Sequence, residues 1–172
     1  MMKIIRTKTT VGKNLTVALK QLDGLEGRVG WFKDARYEEY KENGEKKGGE
    51  YVAFIAAQNE YGNPNKNIPA RPFMRPTIRE QKNKWLAFAA KLSGQVLEGK
   101  LYAHQAMESI AVMAENDVLK KIASIYTPPL APITIEKRIA RYSNQNKLGN
   151  LYKPLVDTGH MIATLTHEVV SA

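Results

Sequence analysis

The sequence predicts an α+β domain: a small, mostly antiparallel sheet built from strands near the two ends of the chain, packed with two long amphipathic helices and several shorter ones. Three observations carry this reading. Apolar residues recur at sums of three and four over two long stretches between Pro76 and Ile125. Short alternating segments lie near the two ends, at 26–32 and 164–171. Proline clusters at 68–76 and 128–132 separate the helical stretches, because proline can neither continue a helix nor donate to a central strand.

In chain order, residues 3–8 alternate weakly and read as an edge strand. Val11, Leu15, Ala18, Leu19 and Leu22 recur at helical spacing, and Gly24 stops that helix. The strand at 26–32 places Val29 and Trp31 on one face, Arg28 and Gly30 on the other. Residues 33–50 hold six acids, five bases and Gly44, Gly48 and Gly49, with little to bury. They read as a solvated loop or an extended β-hairpin arm. A short helix over 51–61 aligns Val52, Ile55, Ala56 and Asn59.

Pro76 then opens a long helix with Ile78, Trp85, Ala89, Leu92 and Val96 on its buried stripe, running to about Leu97. Gly99 and Lys100 make the turn into a second long helix, striped by Met107, Ile110, Ala114, Val118, Ile122 and Ile125. So short a link predicts an antiparallel pair. Pro128-Pro129 ends the helical run; a basic helix follows over 133–142 and a polar loop over 143–152. Asp157 reads as the cap of one short turn over 160–163, and 164–171 is the final strand, with Leu165, His167 and Val169 opposite Thr166, Glu168 and Val170.

Length and composition bound the function. At 172 residues, with 43% hydrophobic residues, the chain reads as a single domain able to bury a real core. It has no apolar run long enough to span a membrane, and Met1-Met2-Lys3-Ile4-Ile5-Arg6 lacks the apolar centre of a signal peptide. The absence of cysteine removes disulfides, thiol nucleophiles and cysteine metal sites. A net charge of +9 favours nucleic acid, an anionic surface or an acidic protein as partner.

Catalytic signatures are sparse. Asp157-Thr158-Gly159 matches the short motif of retroviral-type aspartic proteases, in which two aspartates share a proton and activate water. Here His160 stands where that motif has a small residue, and too few strands surround it for a protease fold. His104, His160 and His167 have no partner at metal-ligand spacing. There is no phosphate-binding loop, dinucleotide fingerprint or nucleophile elbow. Neither an enzyme nor a bound cofactor or metal is expected.

The most specific stretch is Asn59-Glu60-Tyr61-Gly62, followed by Ile68-Pro69-Ala70-Arg71-Pro72-Phe73-Met74-Arg75-Pro76. Two further motifs follow in order: Pro128-Pro129-Leu130-Ala131-Pro132-Ile133-Thr134, and Pro154-Leu155-Val156-Asp157-Thr158-Gly159-His160-Met161. Together they resemble the small neck and tail-completion proteins of tailed bacteriophages. The resemblance implies a structural virion protein, assembled in the bacterial host cytoplasm. It would form a homo-oligomeric ring at the head–tail junction and contact portal-side, connector or tail-tube proteins around the DNA path.

On that reading the strap forms a subunit interface through Arg71, Phe73, Met74 and Arg75, with the arginines and Phe73 on opposite sides of an extended segment. Three arrangements are open: arginines presented to a neighbour's carboxylates, Phe73 inserted into the neighbour, or a strap folded wholly on its own domain. A second basic cluster, Lys120, Lys121, Lys137, Arg138, Arg141 and Lys147, would face DNA or an acidic partner. The rival from another class is a small basic nucleic-acid-binding protein acting alone.

Overall fold

The computed structural model describes residues 10–42, 45–47, 49–145 and 150–171. The strand expected at 3–8 and the cation Lys147 lie outside the described residues. Helix α1 (Thr10–Asp23) ends where the Gly24 N–H donates to the Lys20 carbonyl at 3.2 Å. The following strand β1 (Leu25–Gly30) pairs with β4 (Thr166–Ser171) in a two-stranded antiparallel sheet, so the expected sheet from strands near the two ends is present. Both strands are shorter than their alternation suggests. Thr164 leaves β4 because its N–H closes the preceding helical turn on the His160 carbonyl at 3.0 Å.

The charged segment takes the hairpin form. Strands β2 (Tyr40–Glu42) and β3 (Glu45–Lys47) pair antiparallel, with Tyr40 opposite Lys47, Lys41 opposite Lys46 and Glu42 opposite Glu45. The same register continues to the base, where Arg36 bridges Tyr51 and the Val52 N–H donates to the Ala35 carbonyl at 3.0 Å. Helix α2 (Val52–Tyr61) starts directly from this base, so the orientation of hairpin and helix is set by one continuous stretch of backbone.

Helices α3 (Met74–Leu97) and α4 (Ala103–Ser124) are the two long helices; α5 (Pro132–Gln145) is the basic helix and α6 (His160–Ala163) a single turn. The chain groups into two compact units, and α3 and α4 each contribute to both. In the first, Leu92 and Val96 of α3 pack with Ala103 and Ala106 of α4 and with Ala18 of α1. There the two long helices fold back on each other, as the short link predicts. Leu15 and Leu19 are exposed, contrary to the expected stripe: small Ala18 makes the close contact and leaves the flanking leucines on its margins. His167 lies 2.9 Å from a Glu108 carboxylate oxygen in this unit.

The second unit, Val29–Gln81 with Glu115–Thr166, holds the strap. Its core joins Val52 and Ala56 of α2, Phe73, Val118 and Ile122 of α4, and Met161. Trp31 meets Phe73 edge-on at 5.8 Å, and its indole N–H donates to the Met161 carbonyl at 2.8 Å. The buried stripe of α3 is continued in this unit by Thr77, one residue before the expected Ile78, which is exposed. A threonine is tolerated at so buried a position because its hydroxyl donates to the Phe73 carbonyl at 2.6 Å.

Candidate assembly surface

The strap is held by one carboxylate. Glu60, 4% exposed, lies in the last turn of α2 and points at the start of α3. Its Oε2 accepts the N–H groups of Phe73 and Met74 at 2.6 and 2.9 Å, and its Oε1 accepts the Arg75 N–H and Nε at 3.0 Å each. These N–H groups have no partner within the helix, and a negative charge at a helix N-terminus is favourable. Burial opposes ionisation of Glu60. The N–H groups of Phe73, Arg75 and Met74, with the Arg75 side chain, outweigh it and hold the carboxyl below its ordinary pKa.

This arrangement corrects the expected helix start. Because Glu60 satisfies the first N–H groups, α3 begins at Met74 rather than Pro76, and Pro76 occupies the third helical position, where its missing N–H removes another unpaired donor. The turn between α2 and the strap needs Gly62. Its φ is +78°, and a Cβ there would lie 2.9 Å from the Ala70 backbone nitrogen.

Arg71 locks the second motif to the first. It is 5% exposed, and its Nε and Nη2 donate to the Pro128 and Pro129 carbonyls at 2.7 and 2.8 Å. Burial, and next the charge of Arg138, draw its guanidinium below the usual arginine pKa. The third motif is tied to α5. Asp157 accepts from Arg141 Nη1 at 2.8 Å and from the Tyr142 hydroxyl at 2.7 Å, and pairs with Arg138 Nε at 3.3 Å. Burial, then this bond to Asp157, raises the pKa of Tyr142.

Asp157 therefore does not cap α6. Gly159 takes the capping position in a left-handed conformation, with no side-chain cap bond, while Asp157 turns towards two donors of α5, Arg141 and Tyr142, and the charge of Arg138. His160 Nε2 lies 2.8 Å from the Arg36 carbonyl, which can only accept, so this nitrogen carries the proton. The carboxylate of Asp157 is thus engaged by side chains of α5 in its own unit.

Of the expected interface residues, Arg71 and Phe73 are buried in their own chain, Met74 is half-buried and Arg75 is exposed. The strap thus anchors Phe73 in its own unit, as the first arrangement expects, and leaves Arg75 exposed, but turns Arg71 inward. Extended alternation fails because Phe73 packs beside Trp31 while Arg71 is drawn inward by the Pro128 and Pro129 carbonyls. In the second cluster, Lys120 and Lys137 are exposed, Lys121 bonds to Glu80 at 2.8 Å, and Arg141 pairs with Asp157. Arg138 does not face outwards: it is 6% exposed and donates to the Asn150 and Lys153 carbonyls.

What remains at the surface is the outer side of α2. Tyr51, Phe54 and Tyr61 are spaced by three and seven, which puts them on one helix face, and Phe54 and Tyr61 are 53% and 66% exposed. Each ring has a cation nearby: Arg36 lies 3.7 Å from the Tyr51 centroid, Arg75 4.5 Å from that of Tyr61 and Lys66 6.0 Å from that of Phe54. Exposed Ala53 and Ala57 extend the apolar surface. The first six residues of α2, Val52 to Ala57, are all apolar, yet this chain covers only one side of them. The sequence reading followed the Val52 stripe and missed this opposite face, although Phe54 in so short a helix already marked it.

No family model, curated protein or solved structure matches the chain.

Proposed function

We propose that this chain is a non-enzymatic structural protein of a tailed-phage virion, acting at the neck or tail end as a ring of identical subunits that joins head and tail around the DNA path. The observation that supports this best is the convergence of the three motifs that carry the resemblance. Arg71 of the first bonds to Pro128 and Pro129 of the second, and Asp157 of the third anchors the helix that the second opens. Residues set far apart in the chain thus share one compact unit, as expected of a common scaffold and not of scattered chance matches. The scaffold leaves an aromatic and cationic face for contacts. Among the described residues, no helix is long and apolar enough to cross a membrane. The net positive charge suits a place beside DNA or acidic partners.

The test is the mass of the purified protein in solution, alone and mixed with purified tails or DNA-filled heads. A ring, or a monomer that joins those particles, is expected. A monomer that ignores both and binds duplex DNA with a steep salt dependence would replace this proposal with the solitary nucleic-acid-binding protein.

A further inference from the structure

We propose that the ledge formed by Tyr126, Tyr152 and Lys153 is a contact for the phosphates of duplex DNA. The inference rests on the assembly reading, in which DNA passes beside the chain, and names the side turned towards it.

Its first ground is uncompensated charge. Between positions 118 and 156 the sequence has a single acid, Glu136. Lys153 makes no ion pair among the described residues: its Nζ lies 4.9 Å from the Tyr126 ring centroid and donates to that hydroxyl at 3.4 Å. Two buried guanidiniums brace the same backbone. Arg138 donates to the Asn150 and Lys153 carbonyls at 2.6 and 3.0 Å, and Arg71 to those of Pro128 and Pro129 at 2.7 and 2.8 Å. Arg71 meets only these carbonyl oxygens; burial, and then the charge of Arg138, disfavour its protonated form. Asp157, shared between Arg138 and Arg141, is the carboxylate that this group holds. Arg71, Arg138, Arg141 and Lys153 therefore stand against one acid, while Glu136 and Lys137, both exposed on α5, offset each other. Buried charges are weakly screened, so the excess acts at the surface that covers them.

The second ground is what that surface displays. Tyr126 and Tyr152 are 64% and 66% exposed, and exposed Thr127, Pro128, Pro129 and Asn150 add no charge between them. Tyrosine hydroxyls and lysine are donors to phosphate oxygens. Proline rings and the Arg71 bonds hold the ledge in one conformation, so little freedom is lost when a ligand settles on it. Arg71 and Arg138 are 5% and 6% exposed, too deep to pair with a partner's carboxylate. They act through their field, which suits a polyanion with one charge per roughly 1.7 Å of its axis better than scattered acids on a protein.

The test is fluorescence anisotropy of a labelled duplex DNA of mixed sequence, titrated with the full chain over a range of salt. Lys153→Gln should weaken binding about fivefold at low salt and reduce the slope of log affinity against log salt by about 1. Lys91→Gln, an equal charge change at an exposed position of α3, should leave both nearly unchanged. Lys153 is half-buried, so a second variant guards against damage to the fold: Tyr152→Phe loses only an exposed hydroxyl and should weaken binding about twofold with unchanged thermal melting. Equal losses from Lys153→Gln and Lys91→Gln overturn the inference, as does wild-type affinity in both ledge variants. So does a Tyr152→Ala effect on a single-stranded oligonucleotide but not on the duplex, which makes the ledge a base-stacking site. Loss of capture by purified tails alone in Lys153→Gln gives the ledge to another virion protein. Particle joining is scored separately, so joining without a ledge effect on DNA removes this contact and leaves the virion reading standing. DNA binding through the ledge without joining does the reverse.

Discussion

Replacing Glu60 by glutamine probes the link between α2 and the strap. The carboxylate accepts from the N–H groups of Phe73, Met74 and Arg75 at 2.6, 2.9 and 3.0 Å, and from Arg75 Nε at 3.0 Å. Glutamine keeps one oxygen, but its amide N–H₂ meets donors where an acceptor stood. A hydrogen bond to a charged group contributes roughly 1.5–3 kcal/mol, and a buried donor left unpaired costs about 1–3 kcal/mol. The bonds share one carboxylate whose burial opposes them, so they do not add. We expect Glu60→Gln to cost about 3 kcal/mol, and Glu60→Ala about 4 kcal/mol.

The assay is urea unfolding in a Trp85→Phe background, which leaves Trp31, against Phe73, as the single indole reporter. The pH dependence has a definite sign. The folded pKa of Glu60 is depressed, so its contribution is complete above the unfolded carboxyl value of about 4.3 and is lost as pH falls through the folded value. The gap between wild type and Glu60→Gln should therefore be widest near neutrality and close in acid. A loss below about 1 kcal/mol at pH 7, or a gap that stays constant into acid, would refute the reasoning.

Four further outcomes are expected. Arg71→Lys keeps the charge but not the fork that bridges the Pro128 and Pro129 carbonyls, and should cost about 2 kcal/mol in urea unfolding. Asp157→Asn should lower the melting temperature through a loss of about 2 kcal/mol, with no peptidase activity before or after; an activity abolished by the change would revive the protease alternative. Gly62→Ala should cost about 2 kcal/mol by thermal melting, since φ is +78° and the new Cβ meets the Ala70 backbone. Phe54→Ser with Tyr61→Ser should change stability by no more than about 1 kcal/mol yet reduce self-association or particle joining, read by sedimentation.

The fold class was legible because each long helix declares itself locally. The spacing of Leu92 and Val96 marked the core of the first unit, and Val118 and Ile122 that of the second, without knowledge of any partner element. The boundaries were less legible where a distant side chain set them. Pro76 looked like a helix start until Glu60, from another helix, satisfied the N–H groups two residues earlier. Asp157 looked like a cap until α5 offered it two donors and a further cation. The inward turn of Arg71 beside Phe73 was illegible for a related reason: proline content signals an extended strap but does not say which side is drawn inward.

The sequence by itself determined the elements and their order, because helical and strand periodicity, glycine stops and proline breaks act over a few neighbouring residues. It also determined the charge and the absence of cysteine. Only the tertiary structure decided the role of each polar side chain. It made Glu60 an internal clamp, turned Arg71 and Arg138 inward onto carbonyl groups, and left the aromatic side of α2 at the surface. The physical reason is that a buried ion must find partners wherever the folded chain provides them, and those partners lie tens of positions away: Arg71 and the Pro128 carbonyl are separated by 57 residues.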